Sequence, residues 1–370
     1  MAKSVTLADI AAKVGVSSVA VYKALADKPG VSDKLRERIK QLADEMGYVS
    51  GAAEKAEASS KTGNIGIIIP EQYYGYSLSF YGQLHERVVK ALYRSEYFGM
   101  LEIMTPEDEK ALNMPKLMQD GKVDGLILLG QMGKPYIDFM ISQKQLPVIF
   151  LDTYIPLVTF DTVISDGYYG TYLLTNYLIR QGHRRIGFVG SVNANSSIAD
   201  RYWGYRKALR EGGIVYEDSW EIPDRDERGN LFEESLREWE GMDAFVCNCD
   251  FTADLLIRSL EAKGCRIPED ISVVGVDDFL PQGMNNDRIT TYRVDMDHMA
   301  ELCVKSLVKK INGKKYTEGI QIVTGKIIYK KTVAKRKRQE TDQGKNNNVL
   351  RETPFATDYK LSPQKLSPDR

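Results

Sequence analysis

The chain has 370 residues, 43% hydrophobic and 27% charged, an ordinary globular profile for two or three domains that excludes a collagen, a coiled-coil rod or a wholly disordered chain. Fifty Lys and Arg against 51 Asp and Glu give a net charge of −1, so a nucleic-acid partner must be read from a local segment rather than from the whole field. Four Cys in this length make no disulfide scaffold, no run of about 20 apolar residues offers a membrane span, and MAKSVTLADIAAKVG lacks the apolar core of a signal peptide, so a reduced, cytoplasmic protein with no membrane partner is expected.

Residues 5–49 read as three short helices. Thr6, with Asp9 three residues on, caps the first. Leu7, Ile10, Ala11 and Val14 fall on one stripe, and Gly15 stops the helix. Ser17 caps a second helix running to about Leu25. Pro29-Gly30 marks a loop, and Ser32 caps a third helix with Leu35, Ile39, Leu42, Ala43 and Met46 on its apolar face. A helix, a sharp turn and a second helix have the spacing of a helix-turn-helix, whose second helix enters the major groove by its N-terminal residues. Val16, Val21, Ala24 and Leu25 face the core. The other face shows Ser17, Ser18, Val19, Tyr22 and Lys23. Ser18 and Tyr22 can hydrogen-bond to bases or phosphates, Val19 can touch a thymine methyl, and Lys23 can reach guanine acceptors or a phosphate. With the capping residues Thr6, Ser17 and Ser32, these are the candidate contacts to double-stranded DNA. Residues 1–49 hold eight Lys and Arg against six Asp and Glu, a mild excess.

Residues 50–63 (SGAAEKAEASSKTG) are small and polar and read as a hinge or linker. From Ile65 the pattern becomes short apolar runs alternating with amphipathic stretches. The runs are Ile65–Ile69, Gly99–Met104, Gly125–Leu129, Val148–Leu151, Ile186–Val189, Ala244–Cys247 and Ile271–Val276. Helical segments are expected near 80–95, 107–120, 134–144, 167–181, 201–211, 252–263 and 297–311. This alternation is that of a parallel, doubly wound α/β architecture, long enough for two lobes over residues 64–333. Residues 334–370 have few aliphatic residues and no periodicity and read as a disordered tail.

The string Val5-Thr6-Leu7-Ala8-Asp9-Ile10-Ala11, Val14-Gly15-Val16-Ser17, Val31-Ser32, Leu42-Ala43 and Gly47-Tyr48 closely resembles the headpiece of the LacI/GalR bacterial transcription repressors. The likeness continues through Asp124-Gly125-Leu126-Ile127, Gly182-His183-Arg184-Arg185-Ile186-Gly187, Arg201-Tyr202-Trp203-Gly204-Tyr205, Ile267-Pro268-Glu269-Asp270-Ile271-Ser272-Val273-Val274-Gly275 and Thr290-Thr291, and covers about residues 4–333. The resemblance implies a three-helix headpiece joined to a two-lobed, periplasmic-binding-protein-like domain, with three chain crossings between the lobes. It also implies a homodimer on a roughly palindromic operator and a small-molecule effector, a sugar by family habit, in the cleft. The effector would act by its differential affinity for two states.

Two departures stand out. The reading helix has Ala20-Val21-Tyr22-Lys23 where the family often has Thr-Val-Ser-Arg, so an operator sequence cannot be carried over. At the hinge, gapless counting puts Glu57 where relatives have a leucine wedge; a carboxylate repels phosphate and unstacks no bases, so little DNA bending is expected.

Ligand sites in open α/β lobes lie beyond the carboxyl ends of strands. After Ile65–Ile69 come Pro70-Glu71-Gln72-Tyr73-Tyr74-Gly75-Tyr76 and then Phe80-Tyr81; aromatic faces there can stack on a sugar or a base, with Tyr74, Phe80 and Tyr81 as the candidates. Arg201 matches the family's cleft arginine and offers a planar fork of donors. Asp277 matches the cleft aspartate and can accept two hydroxyl hydrogens, while Asp278 is expected to cap the next turn. Asp250 follows a strand where the family has Asn-Asp; Cys249 stands in place of that Asn, so the effector's identity is not inherited. Trp203 and Phe251 are candidate stacking walls. His183 has a structural role in the implied fold.

No cofactor or metal is expected: Cys247-x-Cys249 has the wrong spacing for a redox or metal pair, and the three histidines are scattered. An α/β enzyme is the rival reading, and no Walker A, Gly-x-Ser-x-Gly or clustered metal motif supports it. A solute-binding protein is the third, opposed by the helix-turn-helix. The reading is therefore a DNA-binding transcriptional regulator, a repressor, and not an enzyme.

Overall fold

The computed structural model describes residues 5–25, 27–46, 61–74, 79–155, 160–225, 241–281 and 283–336. Glu57, the rest of 47–60, and 337–370 lie outside the described residues, so the expected wedge position and most of the expected tail do too. The chain divides into two units, residues 1–62 and 63–370. Among the described residues no helix is long and apolar enough to cross a membrane.

The first unit holds α1 (Leu7–Val14), α2 (Ser18–Leu25) and α3 (Asp33–Glu45). Their apolar stripes converge on Ile10, Ala11, Val21, Ala24, Ile39 and Ala43, as the 3.6-residue period requires. Thr6 and Asp9 form a reciprocal capping box. Gly15, at φ 77°, adopts the left-handed conformation that turns the chain from α1 into α2.

The second unit contains two six-stranded sheets. In lobe 1, β1 (Asn64–Pro70), β2 (Phe98–Met104), β3 (Gly125–Leu129), β4 (Val148–Leu151), β5 (Thr162–Ser165) and β11 (Ile320–Val323) are all parallel, in the order β11-β5-β4-β3-β1-β2. Lobe 2 repeats that order with β6 (Ile186–Val189), β7 (Glu221–Ile222), β8 (Ala244–Cys247), β9 (Ser272–Asp277), β10 (Thr290–Arg293) and β12 (Lys326–Ile328). Only β12 runs antiparallel, against β10. The helices are α4 (Glu71–Tyr74), α5 (Phe80–Arg94), α6 (Pro106–Lys110), α7 (Lys116–Gln119), α8 (Lys134–Gln143), α9 (Gly167–Arg180), α10 (Ser196–Glu211), α11 (Asp250–Ala262) and α12 (Met296–Ile311).

The chain crosses between lobes three times, at Asp166, at Val294-Asp295 and at Thr324-Gly325: α9 packs on the lobe 2 strands, α12 on α5 and the lobe 1 strands, and β11 and β12 lie in different sheets. These crossings run side by side. The Asp166 N–H donates to Val323 O at 3.0 Å, and a Cβ on Gly325 would sit 2.0 Å from Arg293 O, so only glycine fits there.

Several expectations need correction. The helix near 107–120 is two short helices, because Pro115 offers no N–H and disfavours helix at the residue before it. The strands β5, β7, β10, β11 and β12 carry too few consecutive apolar residues to read as runs. Residues 334–336 are not disordered: Ala334 N donates to Ser272 Oγ at 3.1 Å and Arg336 N to Gln181 O at 2.8 Å. Ser32 occupies the N-cap of α3, but its side chain makes no capping hydrogen bond.

Candidate functional site

In the first unit, α2 presents an exposed face. Val19 is 62% and Tyr22 47% exposed, with Ser17 and Ser18 exposed beside them. An exposed valine and tyrosine on this short helix leave apolar surface in water. The Tyr22 hydroxyl accepts from Lys28 Nζ at 3.0 Å, which aims the phenol and adds a cation at its tip. Lys23 is half-buried against the Gly30 loop. Thr6 is exposed, but its hydroxyl donates to Asp9 at 2.6 Å and accepts from Asp9 N at 3.3 Å. Ser17 likewise accepts from Ala20 N at 3.2 Å.

In the second unit, the strand ends bring together a buried polar cluster. Asp152 follows β4 and Asp277 ends β9, strands that occupy equivalent places in the two sheets. Both have positive φ, 62° and 114°. Arg201, on the second turn of α10, is buried nearby; it donates to Asn248 O at 2.5 Å and to Asp277 Oδ1 at 3.3 Å. The Tyr81 hydroxyl donates to Asp152 Oδ2 at 3.0 Å. Carboxylates from both lobes thus flank one guanidinium.

Burial pushes the Asp277 carboxyl up to about 7, with Arg201 opposing, and the Asp152 carboxyl up to about 6, with Arg201 and the Tyr81 hydroxyl opposing. For Arg201, burial works against the charge, but Asp277 and Asp152 more than offset it and its pKa is raised. A second guanidinium, Arg225, is gripped by Asp224 through bonds of 3.0 and 2.8 Å. Burial would raise the Asp224 carboxyl, but Arg225, the Asn248 amide and the Ser191 N–H hold it down at about 2. The lobes also touch directly. Tyr154 donates to Asp200 at 2.6 Å, and Ser196 N–H to Gln131 Oε1 at 2.9 Å.

The structure brings Tyr81, Arg201 and Asp277 into one region and packs Phe80 edge-on against Tyr81, ring centroids 5.4 Å apart. Tyr73, rather than its exposed neighbour Tyr74, lies against Tyr81, centroids 4.4 Å apart. Trp203 is 56% exposed. Two residues along a helix is about 200° around it, so with Arg201 turned inward Trp203 faces solvent and is no cleft wall. Phe251 is exposed on the first turn of α11. Asp250 is fully buried and turned onto the sheet: its Oδ2 accepts from Phe279 N at 3.3 Å, and its Oδ1 lies where a Gly275 Cβ would be. The helix cap is Cys249, so Asp250 supports β9 from beneath instead of facing a ligand. Asp278 does not cap a turn; it accepts from Arg293 Nε and Lys330 Nζ, each at 2.6 Å. His183 Nε2 meets Ala334 O at 3.1 Å, pinning the chain's last described segment.

Asp152, Asn248 and Arg225 escaped the sequence reading, while Tyr73 lay in its aromatic stretch without being chosen over Tyr74. Asp152 was findable, since it follows the Val148–Leu151 run as Asp277 follows its own. Arg225 lies beyond a two-residue strand, where no periodicity marks it.

Known proteins resemble the chain along most of its length. Residues 6–50 match the family of bacterial regulatory proteins of the lacI family, and residues 175–333 match the periplasmic binding protein-like domain. The HTH-type transcriptional repressor PurR of Haemophilus influenzae (strain PittEE) is 25% identical over 337 residues, covering 89% of this chain and 98% of that protein. The HTH-type transcriptional regulator RegA of Clostridium saccharobutylicum is 26% identical over 330 residues, covering 87% and 97%. Among solved structures, a transcriptional regulator CelR–cellobiose complex superposes with a TM-score of 0.65 at 22% identity, covering 89% of this chain and 99% of that one. The lac repressor dimer bound to operator and the anti-inducer ONPF gives 0.62 at 22%, covering 90% and 100%.

Proposed function

Because the chain belongs to the lacI family of DNA-binding transcription regulators, we propose that it is a homodimeric, cytoplasmic repressor whose operator affinity is set by a sugar or sugar derivative held between the lobes, and that it catalyses no reaction. In this reading Ser17, Ser18, Val19, Tyr22 and Lys23 meet the operator, with Thr6 and Ser32 at helix starts beside phosphates.

The observation that carries the ligand reading is the Asp152–Arg201–Asp277 arrangement. Two strand-end carboxylates accept hydroxyl hydrogens, and one guanidinium donates to hydroxyl or ring oxygens. The Tyr73–Tyr81 pair supplies a flat wall beside them. A ligand that satisfies groups on both lobes binds the closed arrangement better than an open one, which is the differential affinity that moves a two-state equilibrium.

The test is a gel shift of the purified full chain on promoter fragments against random competitor DNA, with and without a panel of sugars, nucleosides and nucleobases. Sequence preference altered by a sugar supports the reading. No preference for any fragment refutes DNA regulation. Preference altered only by a nucleoside or nucleobase refutes the sugar assignment alone.

A further inference from the structure

We propose that the cleft extends past Tyr73 into a second subsite and that the ligand is two rings long, a disaccharide-type molecule whose second pyranose ring lies on lobe 1. This rests on the sugar reading above. An open cavity of about 550 Å3 lies beside the Asp152–Arg201–Asp277 cluster, not over it. Its size falls within the roughly 300–1,000 Å3 of small-molecule sites.

The cavity sits where β1, β2 and β3 of lobe 1 end, the side of an α/β sheet on which ligands collect. Its lining is split in character. Met104, Met132 and the Tyr136 ring are buried side chains that make an apolar floor, and Tyr136 spends its hydroxyl on Asn113 O at 3.0 Å. The lining also carries the polar side chains of Glu71, Gln72, Glu109, Lys110 and Gln131. Glu109 is fixed by accepting the Gly133 N–H through Oε1 at 2.6 Å, so its carboxylate is held ready beside the cavity.

This division matches a pyranose ring, with an apolar C–H face and a hydroxyl edge. A lipid or aryl tail would fill the same volume but dehydrate Glu109 and Gln131 without replacing their hydrogen bonds.

Continuity with the first ring site comes from one aromatic wall. Tyr81 donates to Asp152, its ring meets Tyr73, and Tyr73 lines the cavity. Gly130 keeps this wall in place: at φ +85°, a Cβ there would lie 2.9 Å from the Tyr73 ring and 3.2 Å from Tyr81. Lobe 2 contributes Ala194 to the cavity, two residues before the Ser196 N–H that binds Gln131. The second ring is therefore enclosed only when the lobes close, which ties ligand length to closure.

Calorimetry on the full chain tests this with matched monosaccharides and the disaccharides built from them, using the parent, Met132→Trp, Leu112→Trp and Arg201→Ala. One disaccharide should bind at least about tenfold tighter than either constituent. Each tryptophan should reduce disaccharide affinity about tenfold or more and leave monosaccharide affinity unchanged, while Arg201→Ala weakens both. Leu112 is 38% exposed, so that variant decides the question if Met132→Trp fails to fold. Equal affinity for one-ring and two-ring ligands, or tryptophans that affect neither or both alike, overturns the subsite and leaves the sugar reading standing. Binding of no sugar at all overturns both.

Discussion

Asp277→Asn should make the large unit more stable at neutral pH while abolishing its ligand response. In the folded chain burial holds the Asp277 carboxyl at about 7, against 3.8 for an open aspartate. Between those values the folded chain keeps a proton that the unfolded chain has released. The group's contribution is thus most favourable below about pH 4 and declines as pH rises through about 7, by up to ~1.4 kcal/mol per pH unit and ~4 kcal/mol in all. Asp152, at about 6, acts in the same direction over the lower part of this window. His85, whose pKa is lowered by burial, acts in the opposite direction below its ordinary 6.5. The parent's own pH curve is therefore a sum, and the difference between parent and variant reports Asp277 together with the buried carboxyls it interacts with, Asp250 and Asp152. Asparagine cannot ionise, so the two proteins should be similar near pH 4 and diverge upward, the variant being more stable by as much as ~4 kcal/mol at pH 7.5. All three tryptophans, at 203, 220 and 239, belong to the second unit, so urea unfolding followed by tryptophan fluorescence reports on that unit alone. Parallel stability curves for parent and variant from pH 4 to 7.5 would refute the argument that burial, with only partial relief from Arg201, sets the state of this carboxyl.

Other expectations follow from the same contacts. Arg201→Ala should weaken the bound panel sugar more than about tenfold, roughly 1.4 kcal/mol or more, with operator affinity in the absence of sugar retained; native affinity by calorimetry would contradict the cleft assignment. Tyr22→Ala and Lys23→Ala should each abolish specific operator binding without altering sugar affinity, since both lie on the proposed reading face of α2; competition gel shifts check both. Gly130→Ala should destabilise the large unit by about 1 kcal/mol or more, since alanine is strained at φ +85°, and should weaken sugar binding by displacing Tyr73; a thermal melt and a titration measure the two effects separately.

The three headpiece helices, with their caps at Thr6 and Ser17, could be read from residue order, because capping and 3.6-residue periodicity are local properties. The same holds for the long apolar strands, whose continuous runs announce burial on both faces. Arg201 and Asp277 were legible as chemistry placed after the right elements. What sequence could not decide was orientation and partnership. Trp203 and Asp250 carry suitable groups in suitable segments, but helix phase turns one to solvent and burial against Gly275 turns the other onto the sheet. Asp152 stands at a strand end matching that of Asp277 only because β4 and β9 occupy equivalent places in two sheets more than a hundred residues apart in the chain, and Tyr73 lies against Tyr81 because Gly130 leaves room for its ring. Those facts depend on contacts across the fold, where a side chain's direction and its desolvation are fixed by neighbours distant in sequence.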